Sequence, residues 1–301
     1  MANRTLVLTL KTEIDNADAP YLLKYDPIED RKGSLFLWDA GLNRLSAVPV
    51  VDEIIPNLLN EYTPALGNAL TLKKGTFGNA VHDAYIRREL TSKGGIHFIV
   101  SQNYSGDTYA TISNALAANP ALQTALRNKI IGANPNLFIS MWTRLTRSSP
   151  SGASVPTSAY LSSQSSVSDF AFYKVAKDIN FQVPSNSVAT SHLNKADTDA
   201  TAVGVPNKYN LNLKGYSNAG VLADTVARLA MVGYEAPWAG SQSINKSPSF
   251  AVYRIYIEDL TLSGRTYAQV KAIDDAEFAK AFASGGRFHG DTWSNPTSVL
   301  P

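Results

Sequence analysis

The segment Thr5-Leu6-Val7-Leu8-Thr9-Leu10-Lys11 alternates with period two, which puts Leu6, Leu8 and Leu10 on one face of a half-buried opening strand. Further short β runs are predicted at Ser34–Trp38, Gly95–Gln102, Asn136–Thr146, Phe170–Val175, Tyr209–Leu213, Arg228–Tyr234 and Ser249–Leu260. Most of them are bounded by Gly, Pro, Asn or Asp. Many short strands with regular turn punctuation predict a mainly β chain built as an antiparallel sandwich. In Asn136–Thr146, Phe138 and Ser140 share a face with Trp142, while Leu137, Ile139, Met141 and Leu145 fall on the other. A strand that is apolar on both sides is covered on both sides, so Trp142 is expected in the core.

Two helices interrupt this pattern. Asn119-Pro120 supplies a cap and a first-turn proline, Leu122, Leu126 and Ile130 recur at four-residue spacing, and Gly132 closes the segment. Near the carboxyl end, Asp274-Asp275-Ala276-Glu277 reads as a capping box opening a helix with Phe278, Ala281 and Phe282 as its apolar stripe and Gly285 as its stop. Ser148–Ser168 is serine-rich and lacks periodicity, so it reads as a surface loop or hairpin connection, and Ser185–Asn207 is a second polar stretch.

Composition narrows what such a chain does. Hydrophobic residues make up 44% and charged residues 17% of 301 residues, enough for a large core, and one sandwich with insertions is admissible at this length. The balance of 27 Lys+Arg against 25 Asp+Glu is too even for a dedicated polyanion surface, so nucleic acid is not the expected partner. With no cysteine, disulfides and thiolate chemistry are excluded. The alternating stretch near the amino terminus is shorter than the apolar run of a signal peptide and no run of about 18 apolar residues occurs, so membrane insertion is not expected and the chain is expected to be made and kept in the cytoplasm until released.

The run Phe250-Ala251-Val252-Tyr253-Arg254-Ile255-Tyr256-Ile257-Glu258-Asp259-Leu260, followed by Ser263-Gly264-Arg265-Thr266 and a capped helix, resembles the closing strand and short helix of the laminin-G/pentraxin-like family. Leu137–Leu145 resembles that family's central, tryptophan-bearing strand, and Arg228–Tyr234 its penultimate strand. The resemblance implies a concanavalin A-like jelly roll with helical insertions and a C-terminal helix. It spans residues 66–283, with 104–135 and 148–168 as insertions, after an N-terminal strand and connecting segment at 1–65 and before a C-terminal arm at 284–301. Within this family the chain is similar to bacteriophage tail or baseplate modules, which implies a virion component that contacts itself and other tail proteins and touches host-surface glycan. An autonomous carbohydrate-binding module is the second reading, and a glycan-degrading enzyme the third.

No catalytic set emerges from the residues, and an enzyme is not expected. Hydrolases on related sandwiches carry Glu-x-Asp-x-(x)-Glu on one strand, whereas Glu258 and Asp259 are adjacent and point to opposite faces. They read as a surface salt bridge or turn cap. His82-Asp83 and His97, among four histidines, lack both a nucleophile elbow and metal-ligand spacing. No cofactor is expected. Calcium, which some laminin-G relatives hold through loop carboxylates, has candidates in Asp197 and Asp199, although a solvated loop accounts for both. For sugar contact, Trp238 in a predicted loop is the first candidate, with Glu235 beside it to hold hydroxyls and Tyr104 second. In the arm, Arg287, Phe288 and Trp293 are of the types found at interface hot spots, so the arm is expected to pack on a surface, its own or a neighbour's.

Overall fold

The computed structural model describes residues 26–30, 32–42, 44–48, 50, 53–59, 63, 65, 70–74, 82–103, 113–131, 136–148, 157–163, 171–176, 180–181, 193–194, 203–214, 225–233 and 248–301. Its elements run β1 (Ser34–Asp39), β2 (Ile54–Ile55), β3 (Leu70–Lys74), α1 (His82–Tyr85), β4 (Ile86–Leu90), β5 (Ile96–Val100), β6 (Ser113–Ala118), α2 (Pro120–Ile131), β7 (Asn136–Arg147) and β8 (Thr157–Ser163). They continue with β9 (Ala171–Ala176), β10 (Asn180–Phe181), β11 (Leu193–Asn194), β12 (Pro206–Lys214), β13 (Thr225–Gly233), β14 (Ser249–Asp259), α3 (Leu260–Ser263), α4 (Tyr267–Phe282) and α5 (Pro296–Val299). The predicted opening strand at Thr5–Lys11 lies outside the described residues.

The strands form two antiparallel seven-stranded sheets, so the chain is a mainly β sandwich. One is ordered β11-β12-β7-β14-β5-β4 with β1 also paired to β14, and the other β10-β9-β8-β13-β6-β3-β2. β13 of the second sheet lies against β5 and β14 of the first. Between them sits an aliphatic core that joins Phe36, Trp38, Phe98, Ile139, Met141, Ile255 and Ile257 to Ile55, Leu116, Leu122 and Leu126.

The first sheet is covered on its other face too, by α4 and the arm that follows it. β14 is buried along its whole length and β7 along all but its ends, which is why both read as continuous burial rather than alternation. The two faces differ in chemistry: positions 252, 255 and 257 of β14 face the aliphatic core, whereas Arg254, Tyr256 and Glu258 face the helix.

Several expectations change here. Ser113–Ala118 and Thr157–Ser163, which fall in the stretches read as insertions, are strands of the second sheet, and the second lies inside the predicted surface loop. β1, which falls in the segment set apart as N-terminal, pairs with β14 from Ser34↔Glu258 to Asp39↔Arg254. The α2 boundaries follow the sequence, with Asn119 Oδ1 accepting from the Leu122 amide at 2.8 Å. Helix α4 starts two turns before Asp274: Thr266 is the N-cap, forms a capping box with Gln269, and leaves Asp274 buried in the helix interior. Gly285 then takes φ 77°, and a Cβ on Gly286 would run into the carbonyl oxygens of Lys280 and Ala281, so the paired glycines turn the chain back over the sheet.

Candidate functional site

The layer between the first sheet and α4 concentrates the described body's buried charge. A register shift between Val252 and Arg254 opposite Thr143 and Trp142 leaves Tyr253 as the extra residue of a bulge, and both Tyr253 and Arg254 reach the helix side. The fully buried Arg254 guanidinium donates from Nη1 to Asp26 at 2.6 Å and Asp39 at 2.9 Å, and from Nη2 to Asp26 at 2.9 Å. Arg287 of the arm donates to the same Asp39 at 2.7 and 3.2 Å. Both guanidinia lie over the Trp142 ring, at 4.7 Å for Arg254 and 5.3 Å for Arg287. Burial pushes the Asp26 carboxyl up, but hydrogen bonds and charge from Arg254 outweigh it and hold the group below its ordinary range. Burial likewise works against the Arg254 charge, and the two aspartates overrule it and raise that group.

Asp274 accepts from the Trp142 indole at 3.0 Å, the Ser140 hydroxyl at 3.0 Å and Asn210 at 2.8 Å. Lys208 stands 3.6 Å away, and burial lowers its ammonium against the pull of Asp274. Beside this, the Tyr256 hydroxyl donates to Glu258 at 2.7 Å with Ser34 Oγ 2.6 Å away, and Arg265 clamps the other carboxylate oxygen at 2.9 Å. Asp259 caps α3 and pairs with Lys129 at 2.7 Å. Glu258 and Asp259 therefore do point to opposite faces and serve structure, but the Glu258 pair is buried, not at the surface as expected.

A third network runs under the arm. His97 Nδ1 lies 2.8 Å from Glu89, and its Nε2 lies 2.8 Å from the Thr146 hydroxyl. The order carboxylate, imidazole, hydroxyl is that of a hydrolytic triad. His97 is fully buried and Thr146 is 6% exposed, so the hydroxyl is closed off rather than offered to a substrate. Burial holds the imidazole below its usual value, with Glu89 opposing. Ser294 donates its amide to Glu89 at 2.7 Å, and Asp291 accepts from Ser92 at 2.9 Å, the Lys93 amide at 2.7 Å and the Tyr253 hydroxyl at 2.6 Å. Arg144 is enclosed by the rings of Tyr253 at 5.8 Å, Phe282 at 5.2 Å and Trp293 at 5.3 Å.

The structure brings Arg287, Phe288 and Trp293 together on their own chain. Phe288 is fully buried against Tyr253 and Phe282 of its own chain, with ring centroids at 4.8 and 5.3 Å. Trp293 stays partly exposed, edge-on to His97 at 6.4 Å. Trp238, Glu235 and Tyr104 lie outside the described residues, as do Asp197 and Asp199. Sequence reasoning missed Arg144, Asp274 and the pairing of His97. The available signal was positional: Asp274 falls four residues from both Val270 and Phe278, inside an apolar stripe where a lone carboxylate needs donors.

No protein-family model matches the chain, and no curated protein matches it. Among solved structures it is similar to the Clostridium thermocellum N-terminal endo-1,4-β-D-xylanase 10B, the CBM22-1–GH10 modules complexed with xylohexaose. That similarity has a TM-score of 0.24 and 10% identity, and it covers 64% of this chain and 25% of that chain.

Proposed function

We propose that this chain is a structural component of a bacteriophage tail or baseplate, a lectin-like jelly roll that works by packing against copies of itself and neighbouring tail proteins and that touches host-surface glycan. The observation that carries this reading is the brace formed by Asp26, Arg254, Asp39 and Arg287. It joins the N-terminal segment, the central strands and the C-terminal arm through one buried cluster, giving a cysteine-free body the rigidity a particle subunit needs. The resemblance of Phe250–Thr266 to laminin-G-like closing strands supports the same assignment. Asp26, Asp39, Glu258, Arg254 and Arg287 of the α4 layer are taken up by such ties, and the reading is accordingly non-enzymatic. Mass spectrometry and negative-stain imaging of purified particles test it: the chain is expected at stoichiometric level in tails or baseplates. Its absence from particles overturns the reading, as does reducing sugar released from polysaccharide by the purified protein.

A further inference from the structure

Among the described residues, the buried Arg254 guanidinium ends on Asp26 and Asp39, and the partly buried ones also end on acceptors: Arg265 on Glu258, Arg287 on Asp39, and Arg147 on the carbonyls of Val100 and Leu300. Arg144 breaks the rule. It is 8% exposed, its Nε is shut away from water without a partner, and no hydrogen bond or ion pair reaches it among the described residues. The rings of Tyr253, Phe282 and Trp293 surround the guanidinium, but a π face accepts charge without taking up the five N–H donors. What remains is a desolvated, oriented donor group whose terminal nitrogens alone meet solvent, the condition in which a bidentate oxyanion binds most strongly.

From this we infer that Arg144 is a recognition site for the carboxylate of an acidic sugar. The part-exposed Trp293 supplies an apolar ring beside the cation, the surface on which a pyranose stacks its C–H face. Asp291 forms no ion pair with Arg144, and its oxygens accept from Ser92, the Lys93 amide and Tyr253. A carboxylate carried on a pyranose can meet the Arg144 fork and the Trp293 ring together, which acetate and phosphate cannot do. The inference rests on the glycan-contact half of the proposed function and is independent of the assembly half.

Isothermal titration with trigalacturonate, maltotriose, sodium acetate and inorganic phosphate tests it on the full chain. Trigalacturonate is expected to bind, with maltotriose, acetate and phosphate at least tenfold weaker. Arg144→Lys keeps the charge and loses the fork, and is expected to weaken trigalacturonate at least tenfold at an unchanged thermal midpoint. If Arg144→Lys does not fold, the Trp293 indole N–H resonance of the wild-type chain must shift on addition of trigalacturonate. Binding by Arg144→Lys as tight as wild type overturns the proposal, and so does no binding of trigalacturonate. Acetate or phosphate matching it at equal anion concentration removes the sugar and overturns the proposal as stated. Particle mass spectrometry is untouched by any of these results, so failure here and failure of the assembly reading are told apart.

Discussion

Asp274, Trp142 and Arg254 meet in a space of a few ångströms, and their energetics differ in kind. Trp142→Ala removes a fully buried ring together with the indole donor of Asp274, and is expected to cost about 3–5 kcal/mol in chemical denaturation. Arg254→Met removes the only cation donating to Asp26 among the described residues and leaves two buried carboxylates short of compensation. A loss of about 3–5 kcal/mol is expected, and wild-type stability in that variant would show the brace to be idle. His97 predicts a pH effect of definite sign. Burial keeps its folded-state value below the ordinary 6.5, so between the two values the unfolded chain binds a proton that the folded chain refuses. The stability lost to this group sets in as pH falls below 6.5 and levels off below the folded value. His97→Gln should flatten that interval in a urea-midpoint series, while the loss tied to Asp26 persists at lower pH, in the carboxylate range. The core role of Trp142 was legible because its strand carries apolar residues on both faces. The partner of Trp142 was not, because Asp274-Asp275-Ala276-Glu277 has the local grammar of a cap and only the tertiary contact shows that its first carboxylate is an interior acceptor.

For single elements, the helix start is the sharpest case. Thr266 accepts from the Gln269 amide at 3.2 Å and Gln269 returns a bond to the Thr266 amide at 2.8 Å, so Thr266→Ala is expected to lower stability by about 1 kcal/mol in thermal unfolding. No comparable loss of helix initiation follows from Asp275→Ala, since that residue sits mid-helix. Strands of the first sheet were readable from sequence because they carry large β-branched and aromatic side chains in both registers, as in Phe250–Ile257. In the second sheet β9 and β13 were legible too, within Phe170–Val175 and Arg228–Tyr234, but β6 and β8 were not. β6 reads Ser-Asn-Ala-Leu-Ala-Ala and β8 Thr-Ser-Ala-Tyr-Leu-Ser-Ser, compositions with weak intrinsic strand preference that form strands only when β13 pairs them from either side.

Taken whole, the molecule depends on its last residues. The arm delivers Phe288 to the core, Arg287 to Asp39, Asp291 to three donors, and the Leu300 and Pro301 carbonyls to Arg147 and Ser101. Deleting residues 285–301 is therefore expected to depress the thermal midpoint of the isolated protein, and a truncated chain that melts like the full one would contradict the packing. Strand β14 carries a related consequence for how the chain is made. It pairs with β1, β5 and β7, and among the described residues it is the only strand that pairs with β1. Ser34 and Tyr256, which meet across that pair, are 222 residues apart. At about 5–20 residues per second, β1 leaves the ribosome roughly 10–45 s before the strand that completes it. Throughout that interval Leu35, Phe36, Leu37 and Trp38 stand as an apolar edge without a neighbour, the kind of segment that associates between chains. Nascent chains stalled before residue 249 should accordingly be held by chaperones or aggregate, and crowded polysomes translating this message would be the place to find them.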